Sequence, residues 1–269
     1  MIGLGSNRMS VCRRGGMSVT QAGRGGMEWL LGFRAPSWAS PYSVPATAAL
    51  KAAFPTQWPT IRDYGFAHPE IVPYVNQYPM IAASLAGVAR CVMTTNGEAY
   101  FNTGIKNSNA KRIEVEAYFN EQNRAFIGAR NGSRTSDYAI GWDPTQKIMY
   151  DLATTRISVN APAFVWHILV LDRKQRKGYL DGAQVATFSS DTISVANDLF
   201  LMTMNNGGGT PTYWSGSGLV IASAKILEGT TEHHYIPCED NKIIDVATGN
   251  VITKSGSGTA TFSIDSPAA

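Results

Sequence analysis

What most constrains this chain is how short its apolar runs are and what closes them. From about residue 99 onward, apolar clusters end every few residues at Gly, Asn, Asp, Ser or Pro, and no segment of helical period lies between them. Ile113, Val115, Ala117 and Phe119 alternate with Arg112, Glu114, Glu116 and Tyr118, the period-2 signature of a half-buried strand. Phe126 to Gly128, Tyr138 to Trp142 and Lys147 to Tyr150 are further short runs between turn residues. Ala163 to Leu171 is apolar at nearly every position, which predicts a central strand covered on both faces. Tyr179-Leu180 and Ala183 to Val185 flank Asp181-Gly182, the strongest hairpin signal in the chain. Leu199 to Met204, Leu219 to Leu227, Tyr235-Ile236, Ile243-Ile244, Asn250 to Thr253 and Thr259 to Ile264 bring the expectation to about a dozen strands. Short strands spaced by turns, without helices between them, predict an all-β antiparallel sandwich.

The first third is different. Residues 1–85 hold eight of the thirteen prolines and seven Lys/Arg against three Asp/Glu, whereas the other residues hold sixteen against seventeen. The whole positive excess of the chain, a net charge of +3, therefore sits in this piece. Arg14-Gly-Gly-Met17 recurs as Arg24-Gly-Gly-Met27, and residues 1–26 show no period of 2 or 3.6. Three readings stay open for this Arg/Gly lead: an assembly arm, a phosphate-binding tract, or translated purine-rich sequence ahead of a later start. Met1, Met17 and Met27 are all candidate starts. Beyond it come Trp29-Leu30-Leu31, Ala46 to Phe54 and Ile71 to Leu85, the last two as short helices between prolines. The expectation is a two-part chain: residues 1–89 as a largely irregular anchoring arm with short helices, residues 90–269 as the sandwich.

The ordered segments of the second part resemble a known module. Tyr100 to Ile105 precedes the Glu-Val-Glu-Ala-Tyr-Phe strand, Phe126 to Asn131 follows, and the apolar strand leads to Gly178-Tyr179-Leu180-Asp181-Gly182. Met204 to Gly208, the long stretch from Gly218 to Leu227, His234-Tyr-Ile-Pro-Cys238 and a Gly-Ser-Gly-Thr-Ala-Thr-Phe tail complete the order. This set is similar to the concanavalin A-like (laminin G-like) jelly roll of bacteriophage virion proteins and of gut-bacterial surface proteins, over residues 95–265. The resemblance implies a jelly-roll sandwich and a virion setting; residues 1–89 lie outside it, and their basic lead and proline-separated apolar clusters make them the expected anchor to other virion proteins. It does not fix a ligand, since lectins, glycanases and structural modules share that fold.

Catalytic signatures are sparse. Glycanases of this fold place carboxylates at i, i+2 and i+4 of one strand, so that acid and nucleophile face one cleft. The nearest match is Glu114-x-Glu116, which reads as the solvated face opposite Ile113, Val115 and Ala117 rather than as a catalytic pair. His167 falls within an apolar run and reads as a core imidazole, while adjacent His233 and His234 point to opposite faces of a strand. Hydrolase, zincin and phosphate-loop motifs do not occur. Cys12, Cys91 and Cys238, three in number and far apart, read as reduced structural thiols. No cofactor is implied. Calcium stays open through Asn131, Asp137 or Asp143, without a complete calcium-loop pattern. No apolar run reaches the roughly 18 residues of a membrane helix, and the weak net charge speaks against nucleic acid. The opening residues carry no secretory pattern, so the expected setting is a virion assembled in a bacterial cytoplasm.

Binding is what remains. Aromatic faces and Asn, Asp and Arg side chains are the groups that hold sugars. Two loop clusters have them: Arg130, Asn131, Arg134, Asp137, Tyr138 and Trp142, and then Asn205, Asn206, Tyr213 and Trp214. Trp142 and Trp214 also read as packing residues. The assembly candidates are Arg13, Arg14, Arg24, Trp29, Leu30, Leu31, Phe54 and Trp58. The expected function is non-enzymatic glycan or host-surface adhesion by a multicopy virion protein. Its alternatives are a purely structural decoration or protein-interaction module and, behind it, a glycan hydrolase.

Overall fold

A computed structural model describes residues 38–265 apart from 97, 120–123, 132–135, 143–146, 208, 210 and 212–218, with backbone alone at 119 and 124. The described residues divide into two compact units, at 38–89 and 90–265.

The first unit is helical: α1 (Val44–Ala53), α2 (Trp58–Ala67), α3 (Val72–Gln77) and α4 (Ile81–Leu85), with a 3₁₀ turn at Pro69–Ile71. Proline starts three of these helices, where its missing N–H is no loss and its φ is already helical. At α1 the Ser43 side chain accepts from the Ala46 amide and caps the helix. Leu50, Ile61, Val75 and Ile81 are fully buried. Phe54 and Trp58, expected as assembly surface, are buried too, which corrects that reading for these two residues. Trp58 meets the Tyr42 ring edge-on and lies under the Lys51 ammonium. The other six assembly candidates lie outside the described residues.

The second unit is the antiparallel jelly-roll sandwich. Its larger sheet runs in the order β10 (Ala183–Thr187), β9 (Lys177–Leu180), β8 (Trp166–Asp172), β3 (Ala110–Phe119), β12 (Leu219–Glu228), β13 (Thr231–Glu239), β14 (Lys242–Asp245), β15 (Val251–Thr253). β1 (Arg90–Asn96) pairs with β12 and with β16 (Thr259–Asp265). The smaller sheet is β2 (Phe101–Lys106), β11 (Asp198–Leu201), β4 (Arg124–Ala129), β5 (Asp137–Trp142), β6 (Lys147–Ala153), β7 (Thr155–Asn160). Sixteen strands thus stand among the described residues where about a dozen were expected. The missed ones are β1, β2 and β7, and β7 (Thr-Arg-Ile-Ser-Val-Asn) carries the same alternation as the strands that were found.

Alternation builds the core. Ile113, Val115 and Ala117 of β3 meet Tyr138, Ile140 and Trp142 of β5 and Ile148, Tyr150 and Leu152 of β6 in one buried cluster. Two tyrosines tie the sheets together: Tyr138 Oη donates to the Leu171 carbonyl at 2.9 Å and Tyr150 Oη to that of Tyr179 at 2.6 Å. Each bond contributes roughly 1 kcal/mol and fixes the sheets relative to one another.

One strand departs from expectation. β8 begins only at Trp166, and only its inner face is fully covered, Val170 being the one buried residue on the other. His167, Leu169 and Leu171 point inward, whereas Ile168 is 46% exposed, with Phe164 at 63% and Val165 at 42% just before the strand. The apolar run reflects a sheet whose outer face also carries apolar side chains, a pattern that periodicity alone does not separate from double coverage.

Candidate functional site

The two loop clusters of the sequence become one site. Past β11 the chain turns through Met202, whose amide donates to the Phe126 carbonyl, and then runs beside the end of β4. Asn205 N donates to the Gly128 carbonyl at 3.1 Å, and Arg130 N donates to that of Asn205 at 2.8 Å. This short parallel bridge sets Arg130 and Asn131 next to Asn205 and Asn206.

Each member has a defined part. Asn205 is buried: its Nδ2 donates to the Asp198 carbonyl and its Oδ1 accepts from Gly207 N, closing a turn over its own backbone. Gly207 sits at φ +91°, where a side chain is strained, so glycine is what lets the turn close. Asn206 is exposed, and its Oδ1 accepts from Arg130 Nε at 2.9 Å. Arg130 and Asn131 are half-buried.

Sequence reasoning missed the frame beneath. Asn197 Nδ2 donates to the Arg130 carbonyl, and Asn197 N donates to Asn107 Oδ1. Asn107 Nδ2 in turn donates to the Ser136 carbonyl. Asn107 and Ser136 are fully buried, so this amide network replaces water for loop backbone that has no sheet partner. Lone Asn and Ser residues carry no spacing pattern, and nothing in the sequence could single these out.

The remaining candidates fall elsewhere. Tyr138 and Trp142 are inside the sandwich, 0% and 2% exposed, so neither ring is a platform for a sugar. This corrects the adhesive reading of these two and favours the packing reading of Trp142. Burial drives the Tyr138 phenol well above its ordinary range. Asp137 is buried at the start of β5, facing Ala153 across the ladder. Arg134, Asp143, Tyr213 and Trp214 lie outside the described residues. Among the described residues no three His, Cys, Asp or Glu side chains converge as metal ligands do.

The carboxylates that could have served hydrolysis are occupied by cations. Glu114 pairs with Arg112 and, at 3.3 Å, with Lys225; Glu116 takes Arg90 Nε at 2.6 Å. His167 is a core imidazole, its Nδ1 2.7 Å from Asp181 Oδ2 and its Nε2 2.9 Å from the Pro162 carbonyl. His233 faces Asp245 at 2.8 Å, while burial, helped by Lys225, lowers the His234 pKa from 6.5 to about 4. The Cys91 and Cys238 thiols are buried and pushed up to about 12, so both stay protonated and inert.

No protein-family model and no curated protein matches the chain. Among solved structures it is similar to domains LG4-5 of the mouse laminin alpha1 chain, at 17% identity and TM-score 0.34, covering 52% of this chain and 42% of that one. It is also similar to a Trypanosoma rangeli sialidase in complex with sialic acid, at 11% identity and TM-score 0.26, covering 53% of this chain and 21% of that one. The chain therefore spans less than half the length of either.

Proposed function

We propose that this protein is a non-enzymatic adhesion module that binds cell-surface or mucus glycans through the Arg130–Asn131–Asn205–Asn206 cluster. The observation that carries the reading is that single cluster, with a guanidinium and an exposed carboxamide held 2.9 Å apart on a buried amide frame. Asn206 is exposed, and its carboxamide, oriented by Arg130 Nε, offers a donor and an acceptor to sugar hydroxyls. The site is small and polar, so single-site affinity is weak and function relies on many copies.

The finer setting follows from the resemblance of the sandwich segments to phage modules. The protein is a component of a bacteriophage virion, at the tail, fibre or head surface, joined to other virion proteins through residues 1–89. The pairing of Glu114 and Glu116 with Arg112, Lys225 and Arg90 supports the non-enzymatic part of the reading.

A second reading is a structural decoration or protein-interaction module without glycan binding. Exposed Phe164, Val165 and Ile168 favour it, since a neighbouring set of large apolar side chains in water marks a contact surface. Glycan-array screening of the full chain separates the two. Adhesion predicts a restricted set of hits that Asn206→Ala weakens, and an array without hits favours the structural reading. Polysaccharide panels should in either case release no reducing ends.

A further inference from the structure

We propose that a groove along α1 is the docking site for residues 28–33 of the same chain, with Glu28 set against Lys51. This inference is independent of the glycan reading. It assigns Trp29, Leu30 and Leu31 to a contact within the chain and leaves the Arg/Gly lead ahead of them for other partners.

The groove lies within the helical unit, has a volume of about 510 Å³ and is lined by Trp38, Tyr42, Val44, Ala48 and Lys51. Its rim is unusually apolar for a surface. Trp38 and Val44 are the most exposed large apolar side chains among the described residues, at 79% and 84%. The hydroxyls around it are already engaged. Tyr42 Oη donates to the Ile61 carbonyl at 3.0 Å, and Ser40 Oγ and Thr47 Oγ1 bond each other at 2.7 Å. What the groove offers an occupant is therefore apolar surface and one cation. The Lys51 ammonium lies over the Trp58 ring and meets no carboxylate among the described residues.

The chain itself holds a complement. Trp29, Leu30, Leu31 and Phe33 place four large apolar side chains in five positions. Glu28 beside them is the one acidic residue before Asp63. The described chain begins at Trp38, on the rim, so the residues ahead of it arrive at the groove. Five residues separate Phe33 from Trp38, a reach of up to about 17 Å. Val44 and Lys51 are seven residues apart on α1, about 10 Å along the helix, so residues 28–33 can span the groove. A segment tethered this closely is present at roughly millimolar effective concentration, an advantage over any untethered peptide of similar composition.

Chymotrypsin digestion of the full chain, followed by mass spectrometry, tests this. Wild type should be cut after Trp29 and Phe33 about tenfold more slowly than Val44→Asp, since cutting follows the population of undocked segment. Val44 is exposed, and an acid in the first turn favours a helix, so the circular dichroism of this variant should match wild type. Lys51→Glu and Glu28→Lys should each speed cutting about twofold, and combining them should restore protection. Protection should not vary with protein concentration, because segment and groove belong to one chain. Equal cutting of wild type and Val44→Asp overturns the proposal. Protection that rises with concentration overturns it as well, since the occupant is then a second copy's segment.

Discussion

At the scale of single residues, Asp245 and the two histidines beside it hold the turn after β14 in place. Asp245 is buried, and it accepts from His234 N, Ala247 N, Thr248 Oγ1 and the His233 ring. His234 is kept neutral mainly by burial, so its folded pKa, about 4, lies below the 6.5 of an unfolded chain. The unfolded state binds the extra proton in that interval. The neutral His234 therefore contributes stability that is complete above pH 6.5 and is lost as the pH falls toward 4. At roughly 1.4 kcal/mol per unit the loss is at most about 3.5 kcal/mol. Urea denaturation of wild type and His234→Gln across that window should show the steeper decline in wild type; parallel curves would refute the assignment. The tryptophans give a second test. Trp142→Ala should cost about 3–5 kcal/mol, because the ring is enclosed between the sheets. Trp166 is half-exposed on the outer face, bonded to Asp265 and under the Arg90 guanidinium, so Trp166→Ala should cost only about 1–2 kcal/mol. Equal losses in denaturation midpoint would contradict that placement.

At the scale of elements, what the sequence showed depends on whether a local pattern has one physical cause. The Asp181-Gly182 hairpin was legible because both residues take positive φ, 49° and 82°, which few residues tolerate. Nothing lies within 4 Å of a methyl group added at Gly182, so Gly182→Ala should cost only the backbone strain, about 1–2 kcal/mol in a thermal melt. A neutral substitution would mean the turn relaxes. β3 was legible for the same reason, its alternation matching one wet and one dry face. The Ala163–Leu171 run was misread because apolar side chains on an exposed sheet face look the same as those under a second layer. Residues 38–89 were only partly legible: α1, α3 and α4 follow the apolar clusters, but α2 falls in a stretch with two prolines nearby that reads as irregular. The candidate site was legible in its polar residues, since Asn and Arg in Gly-rich loops are visible in sequence. Its unity was not, because the Asn205–Arg130 bridge joins segments 75 residues apart.

At the scale of the molecule, every strand of the sandwich lies within residues 90–265, one of the two compact units. A fragment of those residues should unfold in one cooperative urea transition, and the absence of such a transition would show that residues before 90 complete its core. The account of function rests on the loop cluster at one end of that sandwich. Arg130→Ala removes the guanidinium but leaves the backbone bridge to Asn205 and the buried amide frame untouched. The decisive measurement is calorimetric titration of wild type and Arg130→Ala with the best glycan found by array screening. The account predicts about a tenfold or greater loss of affinity, equivalent to roughly 1.4 kcal/mol, with an unchanged melt. Equal affinity of the two proteins would contradict it and move the binding surface elsewhere on the sandwich.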